Sequence, residues 1–300
     1  MDIIYPVKVT PAILTSTNVP ENDYAQWVAG TYVLGDRRII IAEHLIYEVT
    51  IASTTDSPLA GIAKPVPSWR VVGPTNPWRM FDDSVGTLTT NPGSIVVVLT
   101  PGTVVNSMAF FNLGGRSVRV TMVDPTDGLV FDRTISLVSA GVSNWYDYFF
   151  SDIETQTDVV FTDMPAYGTA SISVQIDAGS GIASAGHTVI GKIKNLGCVS
   201  YGADVGAISF SRKERDTFGS FIVVKRSNAK RSGFDITFNT NQLSSFQRTL
   251  MSLDAVPVVW IGSPLAAYEG TVVFGFYRDF TLTYEGPRIS RGTINIEGLT

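Results

Sequence analysis

The chain has 300 residues and a net charge of −5, with 44% hydrophobic and 16% charged residues. This composition supplies enough apolar side chains for folded cores and excludes a disordered profile, while the acidic balance argues against a dedicated nucleic-acid binder. The single cysteine, Cys198, excludes an intramolecular disulfide and a multi-cysteine metal site, and we expect it to be a small buried residue.

Residues 1–73 are expected to form an extended N-terminal arm followed by a small aromatic β module. Gly35 and Asp36 have turn composition, and strands are predicted over residues 37–41 and 45–51 on either side of a hairpin tip. The module is unusually rich in aromatic residues for its length, and these residues can form either its core or an exposed surface.

The spacing of aromatic and turn residues in this module resembles the small chitin-binding modules of carbohydrate-binding families 5 and 12. The residues that carry the resemblance are Trp27, Gly30, Tyr32, Gly35, Asp36, Tyr47 and Trp69. The resemblance implies that sugar rings stack on a platform made by Trp27, Tyr32, Tyr47 and Trp69. In so small a module the same rings can instead form the core, so both interpretations stay open. Modules of this shape also occur as connectors in phage tail proteins.

Residues 74–178 are predicted to form a β-sandwich domain. Its first residues belong to a linker rich in Gly and Pro at residues 73–77. Within the sandwich, Val118, Val120 and Met122 alternate with polar residues, which is typical of a strand with one wet face. The order of apolar runs resembles the galactose-binding-like jelly roll. That resemblance implies a calcium site at Asp124 and Asp127, whereas the residues themselves predict a hairpin turn there.

Residues 187–300 are expected to form a β-rich α+β assembly domain. A run of small residues at 177–186 predicts a flexible linker before it. A helix is predicted over residues 241–253, because apolar residues recur there at three- and four-residue spacing. Strands are predicted around it at residues 221–224, 234–238, 256–261, 270–276, 280–284 and 292–296.

Four segments of this C-terminal domain resemble a family of phage and prophage virion proteins that build tails. They are residues 201–206, 211–219, 257–262 and 275–280, and the aromatic cluster at residues 144–149 belongs to the same pattern. The resemblance implies a structural role in a tail, localisation in the virion, and other tail proteins as partners.

No catalytic site, metal or cofactor is expected. His44 and His187 are predicted at a hairpin tip and a linker end, and neither belongs to a nucleophile elbow or a His-Glu-x-x-His motif. A carboxylate pair for glycoside hydrolysis would have to come from a few aspartates in or beside predicted turns, where Asp is common anyway. Those aspartates are Asp82, Asp83, Asp124 and Asp132.

Two features predict protein–protein contacts. Residues 144–150 would expose aromatic side chains on at least one face of a strand, so we expect Trp145, Tyr146, Tyr148 and Phe149 to lie in an interface.

The second feature is an uneven charge distribution. Residues 192–231 contain nine basic and three acidic residues, a net charge of +6, so the rest of the chain carries −11. Basic and acidic regions on one chain suit head-to-tail contacts between copies. The expected interface cations are Lys225, Arg226, Lys230 and Arg231.

Together these patterns predict a non-enzymatic, mainly β, multidomain structural protein of a phage tail tip, baseplate or fibre attachment point. It is expected to be a homo-oligomer in the particle. The alternative is a carbohydrate-binding adhesin that recognises a host-surface glycan, and a glycan-degrading tail enzyme is a third option. We expect no membrane span and no nucleic-acid partner. Synthesis is expected in the host cytoplasm, since no signal-peptide pattern opens the sequence.

Overall fold

The computed structural model describes residues 1–138, 155–215 and 219–299. These residues form 22 β-strands, two α-helices and three 3-10 helices. The predicted mainly β fold class, with one substantial helix in the C-terminal part, is confirmed.

The strands of the first 140 residues are short in the aromatic module and longer in the sandwich. They are β1 (Asp2–Pro6), β2 (Leu14–Thr17), β3 (Tyr32–Val33), β4 (Arg37–Ile40), β5 (Leu45–Val49), β6 (Ser53–Thr54), β7 (Trp69–Pro74), β8 (Thr89–Leu99), β9 (Ser107–Phe111), β10 (Ser117–Asp124) and β11 (Gly128–Ser136).

The remaining strands include three of 12 residues or more. They are β12 (Val159–Phe161), β13 (Ser171–Ala185), β14 (His187–Asn195), β15 (Cys198–Val199), β16 (Asp204–Ser209), β17 (Arg212–Arg215), β18 (Phe221–Val224), β19 (Asn228–Asn239), β20 (Val258–Ile261), β21 (Val272–Thr283) and β22 (Ile289–Gly298). The helices are α1 (Pro58–Ile62) and α2 (Leu243–Ser252), with 3-10 helices at Asn76–Phe81, Thr240–Gln242 and Ala266–Thr271.

Two large antiparallel sheets organise the strands. The five-stranded sheet has the order β11-β10-β13-β8-β2, and the ten-stranded sheet has the order β12-β9-β14-β1-β20-β21-β22-β19-β15, with β16 also paired to β19. The aromatic module contributes a three-stranded sheet, β4-β5-β7, and the pair β3-β6. The strands β17 and β18 pair only with each other among the described residues.

A β-sandwich forms where the five-stranded sheet packs on one end of the ten-stranded sheet. The alternating residues Val118, Val120 and Met122 all point into this core, as predicted. Phe110 and Phe161 face them from β9 and β12, with their rings in an edge-to-face contact at 5.9 Å. Two complementary apolar faces therefore fix the relative position of the sheets.

The helix α2 covers the other end of the same face of the ten-stranded sheet. Leu243, Phe246 and Leu250 are buried against the sheet, which confirms the predicted amphipathic face. Phe246 packs on Phe238 of β19 with ring centroids 4.8 Å apart. The predicted strands at residues 270–276 and 280–284 are a single strand, β21, with a register shift after Tyr277.

The predicted flexible linker at residues 177–186 is wrong. Residues 182–185 belong to β13 and pair with residues 89–92 of β8, after a register shift that follows Asp177. The small side chains of Ala183 and Ala185 are fully buried in the sandwich core. Small residues are therefore needed there for close packing rather than for flexibility.

Gly186 carries the chain from one sheet of the sandwich to the other. It is the single residue between β13 and β14. A Cβ atom at this position would lie 2.5 Å from the carbonyl oxygen of Val85 and 2.7 Å from the Cβ of Asn112. Only glycine fits so close an approach, so this crossing is specified by sterics.

The division into three domains stays a prediction, although hydrogen bonding crosses its boundaries. The strand β1 lies between β14 and β20, so N-terminal residues pair with the C-terminal part of the chain. The predicted linker at residues 73–77 contains the end of β7 and the start of the 3-10 helix Asn76–Phe81.

Two expected placements are wrong. Cys198 is exposed, because β15 is a two-residue strand at the edge of the ten-stranded sheet. His187 is the first residue of β14 and is buried, and its ring packs on that of Phe274 in a tilted contact with centroids 4.3 Å apart. Its Nδ1 atom has no hydrogen-bond partner in the described part of the chain. Burial lowers the pKa of His187 from 6.5 to about 4.

The buried histidine predicts a pH-dependent stability. The unfolded chain binds a proton on His187 near pH 6.5 and the folded chain only near pH 4, so stability is complete above pH 6.5 and is lost as the pH falls toward 4. Between pH 7 and pH 5 we expect the free energy of unfolding to fall by about 2 kcal/mol through this residue.

Urea denaturation of the wild type and of His187→Phe at the two pH values measures this effect. The Phe variant keeps the ring contact with Phe274 and is expected to lose the pH-dependent part. His44→Gln is the matched control and should retain it. Equal pH dependence in wild type and His187→Phe would contradict the assignment.

Candidate functional site: an exposed hairpin and the cleft beside it

The strands β17 and β18 form a hairpin that stands away from both large sheets. Their register pairs Arg212 with Val224 and Arg215 with Phe221. All eight residues of the two strands are exposed, including the four consecutive apolar residues of β18. Phe221 is 65% exposed and Val223 is 63% exposed. Because successive side chains of a strand point to opposite faces, both faces of the ribbon present apolar surface.

A cleft of about 420 Å³ lies at the base of this hairpin. Its apolar lining includes Phe111, Phe274 and Leu299, which belong to or pack on the buried cluster on the second face of the ten-stranded sheet. Lys225 and Arg226, which directly follow β18, contribute the polar lining on the hairpin side. The cleft therefore combines an apolar surface with cations at one wall.

Two carboxylates fix the backbone and one cation of the cleft lining: Asp158, which is buried and lines the cleft, and Glu269, which is partly exposed. The Asp158 carboxylate accepts a hydrogen bond from the Asn112 backbone at 3.1 Å and pairs with the Lys230 ammonium group. Glu269 accepts the backbone N–H of Thr157 at 3.0 Å and that of Asp158 at 2.8 Å. Lys230 is thus committed to an internal ion pair, and its charge is compensated within the chain.

Most basic residues of the segment 192–231 form no ion pair with an acidic residue in the described part of the chain. Arg212 pairs with Glu214 at 2.5 Å, and the Arg215 guanidinium lies 4.5 Å from the Phe221 ring centroid. In the described part of the chain, no ion pair involves any of a further set of cations in the basic segment. These are Lys192, Lys213, Lys225, Arg226 and Arg231.

The structure brings three of the four predicted interface cations together and separates the fourth. Lys225, Arg226 and Lys230 line the cleft. Arg231 follows Lys230 on β19 and therefore points to the other face of the sheet. On that face the pKa of Asp279 is lowered mainly by hydrogen bonds from Asn295 and Arg278, and the charge of Arg231 contributes a smaller part. The predicted aromatic contacts Trp145, Tyr146, Tyr148 and Phe149 lie outside the described residues.

The sequence analysis did not identify Asp158, Glu269 or the exposure of β18. Asp158 and Glu269 are 111 residues apart, so no local pattern links them. The run Phe221–Val224 is apolar throughout, which is equally typical of a strand buried on both faces. Only its position outside the two large sheets distinguishes the two cases.

The four aromatic residues of the predicted sugar platform come together as the core of their module. Tyr32, Tyr47 and Trp69 are buried, and Trp27 packs against them while remaining partly exposed. Tyr32 and Trp69 make an edge-to-face contact at 5.4 Å, and the Trp69 indole N–H donates to the Asp56 carbonyl at 3.1 Å. A flat platform of four exposed rings is therefore absent from the described module.

The candidate calcium ligands are engaged in the predicted hairpin turn. Asp124 accepts the backbone N–H of Thr126 at 2.9 Å and the Thr169 hydroxyl, and the latter contact lowers the pKa of this carboxyl most. Asp127 accepts the Tyr167 hydroxyl at 2.9 Å. Among the described residues, no group of three or more His, Cys, Asp or Glu side chains is arranged to hold a metal ion.

Asp82, Asp132 and His44 also have partners within the chain. Asp82 accepts the Thr87 hydroxyl at 2.7 Å, and burial raises the pKa of its carboxyl. Asp132 makes two contacts with the Arg119 guanidinium, at 2.8 and 2.6 Å, while Asp83 is exposed. His44 lies at the predicted hairpin tip with a positive φ of 56° and contacts Glu21 at 3.0 Å.

No protein-family model matches the chain, and no curated protein matches it. Among solved structures, chitosan-binding module 1 of a chitosanase/glucanase from Paenibacillus sp. IK-5 is similar to part of the chain. The similarity has 12% identity and a TM-score of 0.25, and it covers 38% of this chain and 83% of the module. A selenomethionine-labelled mutant of that module gives the same coverage and identity with a TM-score of 0.26. Scores this low carry no inference about binding.

No helix in the described ranges combines the length and the apolar character that a membrane crossing requires.

The core position of Trp69 predicts a local stability effect. Trp69→Ala should cost about 3–5 kcal/mol and unfold the aromatic module, because it removes a fully buried indole. Hydrogen exchange read by mass spectrometry should show lost protection in residues 24–74. Val28→Ala, at a position that is 66% exposed, is the control and should leave protection unchanged. Full protection in Trp69→Ala would argue against the core assignment.

Proposed function

We propose that this chain is a structural subunit of a larger assembly and that it acts through contacts with other subunits. The observation that carries the proposal is the hairpin β17–β18, which exposes four consecutive apolar residues outside either large sheet. Contiguous exposed apolar surface on a folded protein is typical of an interaction site. The cations beside it give the same surface a strong positive charge.

The charge distribution favours contacts between unlike surfaces of neighbouring copies. A segment with a net charge of +6 belongs to a chain whose remainder carries −11. Such contacts are heterologous, and they close into a ring when the rotation between subunits allows it. Each exposed ion pair contributes only about 0–1 kcal/mol, so charge sets the orientation and apolar surface supplies the affinity.

The finer assignment is a tail component of a tailed phage, at the tip, the baseplate or a fibre attachment point. The support for it is the resemblance of residues 201–206, 211–219, 257–262 and 275–280 to virion proteins of that kind. Under this proposal the partners are other tail proteins and further copies of this chain, and the chain resides in the virion. The proposal also includes the absence of enzymatic activity, which is supported by the structural engagement of Asp82, Asp124 and Asp132.

A second candidate, a carbohydrate-binding adhesin, is favoured by one feature of the aromatic module. The indole N–H of Trp27 has no hydrogen-bond partner in the part of the chain that the structure describes. This nitrogen is buried although part of the ring is exposed, so a ligand hydroxyl would satisfy the donor after displacing the side chains that cover it. Glycan arrays probed with wild type and Trp27→Phe test the idea, since Phe keeps a ring and removes the N–H. Blank arrays with the folded wild type would exclude this function.

Charge reversal at the cleft tests the main proposal. We expect the purified wild type to associate at low salt and to dissociate partly at high salt, because exposed charges are screened. The double variant Lys225→Glu with Arg226→Glu should remain folded and associate about tenfold more weakly, because like charges then face each other. Static light scattering over a concentration series measures both effects.

The matched control is Lys8→Glu with Arg248→Glu. Both residues are exposed and lie outside the basic segment, and the change in net charge is identical. The control should associate like the wild type. A wild type that stays monomeric under all conditions would contradict the proposed function.

A further inference from the structure

We propose that the free edge of β18 binds a strand from a second copy of this chain, which extends the hairpin into a sheet shared by two subunits. The inference rests on the proposed function and names the contact through which the subunits join. It follows from the composition of the two hairpin strands, their pairing and the charges around them.

The two edges of the hairpin differ in their protection. The strand β17 consists of Arg212, Lys213, Glu214 and Arg215, and charged residues of this kind prevent edge-to-edge association. The strand β18 is Phe-Ile-Val-Val, with no charge and no proline. Its outer edge pairs with no other strand in the described ranges. One edge of the ribbon is therefore blocked and the other is open.

The hairpin also lacks the packing that stabilises most strands. An isolated two-stranded hairpin is marginally stable in water, and further strands or a packing partner are normally required. β-branched and aromatic residues are favoured in strands because they pack on a neighbouring surface. Here Ile222 is 51% exposed and Val223 is 63% exposed. A strand added beside β18 would cover part of this surface and satisfy its open backbone groups.

Charge complementarity identifies the partner as a second copy. The hairpin and the two residues after it contain Lys213, Lys225 and Arg226, none of which forms an ion pair within the described chain. The remainder of every copy carries −11, so a second copy always brings net negative charge to the contact. Electrostatic attraction between such surfaces accelerates association and selects the orientation.

The cleft lies where the added strand would end. The chain passes from Val224 directly into Lys225 and Arg226, which line the cleft together with Phe274. A strand that pairs along β18 toward its C-terminal end therefore reaches two cations and an apolar surface. An incoming segment with an acidic residue and an apolar residue at that end fits both features.

Hydrogen exchange of the full-length protein provides the direct test. Between concentrations below and above that of association, the amides of residues 221–224 that point away from β17, which are alternate residues of the strand, should gain protection by about tenfold or more, because strand addition hydrogen-bonds the open edge. Association without new protection in residues 221–224 would overturn the inference.

Three substitutions separate strand addition from other contacts. Val223→Lys places a charge on the open edge and should weaken association by about tenfold or more. Val223→Thr keeps a β-branched residue and should retain association, because the backbone supplies the contact. Val66→Lys changes an exposed valine of the aromatic module, 74% exposed against 63% for Val223, and is the matched control.

The outcomes distinguish this inference from the proposed function. Normal association of Val223→Lys, or equal loss in Val223→Lys and Val223→Thr, would overturn strand addition even if charge reversal at Lys225 and Arg226 weakened association. That second result would still support the proposed function. A wild type that never associates would overturn both.

Discussion

The ten-stranded sheet is continuous because β1 is hydrogen-bonded on both of its edges, to β14 on one side and to β20 on the other. Ile3 and Ile4 are fully buried on opposite faces of the sheet, in two different apolar clusters. The strand therefore joins the sandwich end of the sheet to the end that carries α2. Loss of this strand would expose two sheet edges and two core faces together.

The close approach of backbone to backbone around β1 makes this arrangement sensitive to side-chain size. Gly191 of β14 faces Pro6 in the register, and a Cβ atom on it would lie 2.0 Å from the carbonyl oxygen of Tyr5. Gly186 lies five residues before Gly191, where the pairing with β1 begins, and it is also confined, because a Cβ atom there would lie 2.5 Å from the carbonyl oxygen of Val85. The two glycines together allow one strand, β14, to belong to the sandwich core and to contact the N-terminal strand.

The hairpin β17–β18 contrasts with this closely packed body. The ten-stranded sheet buries both faces of its central strands, whereas β18 has four apolar side chains in solvent and one open backbone edge. The same residue types that stabilise a buried strand leave apolar side chains exposed to solvent here. Under the proposed function, the closely packed sheets carry the ribbon and a neighbouring subunit completes its packing.

Local patterns in the sequence determined the mainly β class, the amphipathic helix with Leu243, Phe246 and Leu250, and the alternating strand with Val118, Val120 and Met122. These features follow from the periodicity of side chains along a helix or a strand, which is a property of neighbouring residues. The turn at Asp124 was also predictable, because Asp bonds its own backbone locally.

Only the tertiary structure decided the placements that depend on distant partners. The small residues at 182–185 form a strand because β8 pairs with them, and His187 is buried because Phe274 packs on its ring. Composition alone predicted a flexible linker at residues 177–186, with His187 at its end. Conversely, β18 has the composition of a core strand and lies in solvent, because among the described residues it pairs only with β17. Long-range pairing, which the order of residues does not display, determines whether an apolar segment becomes core or exposed surface.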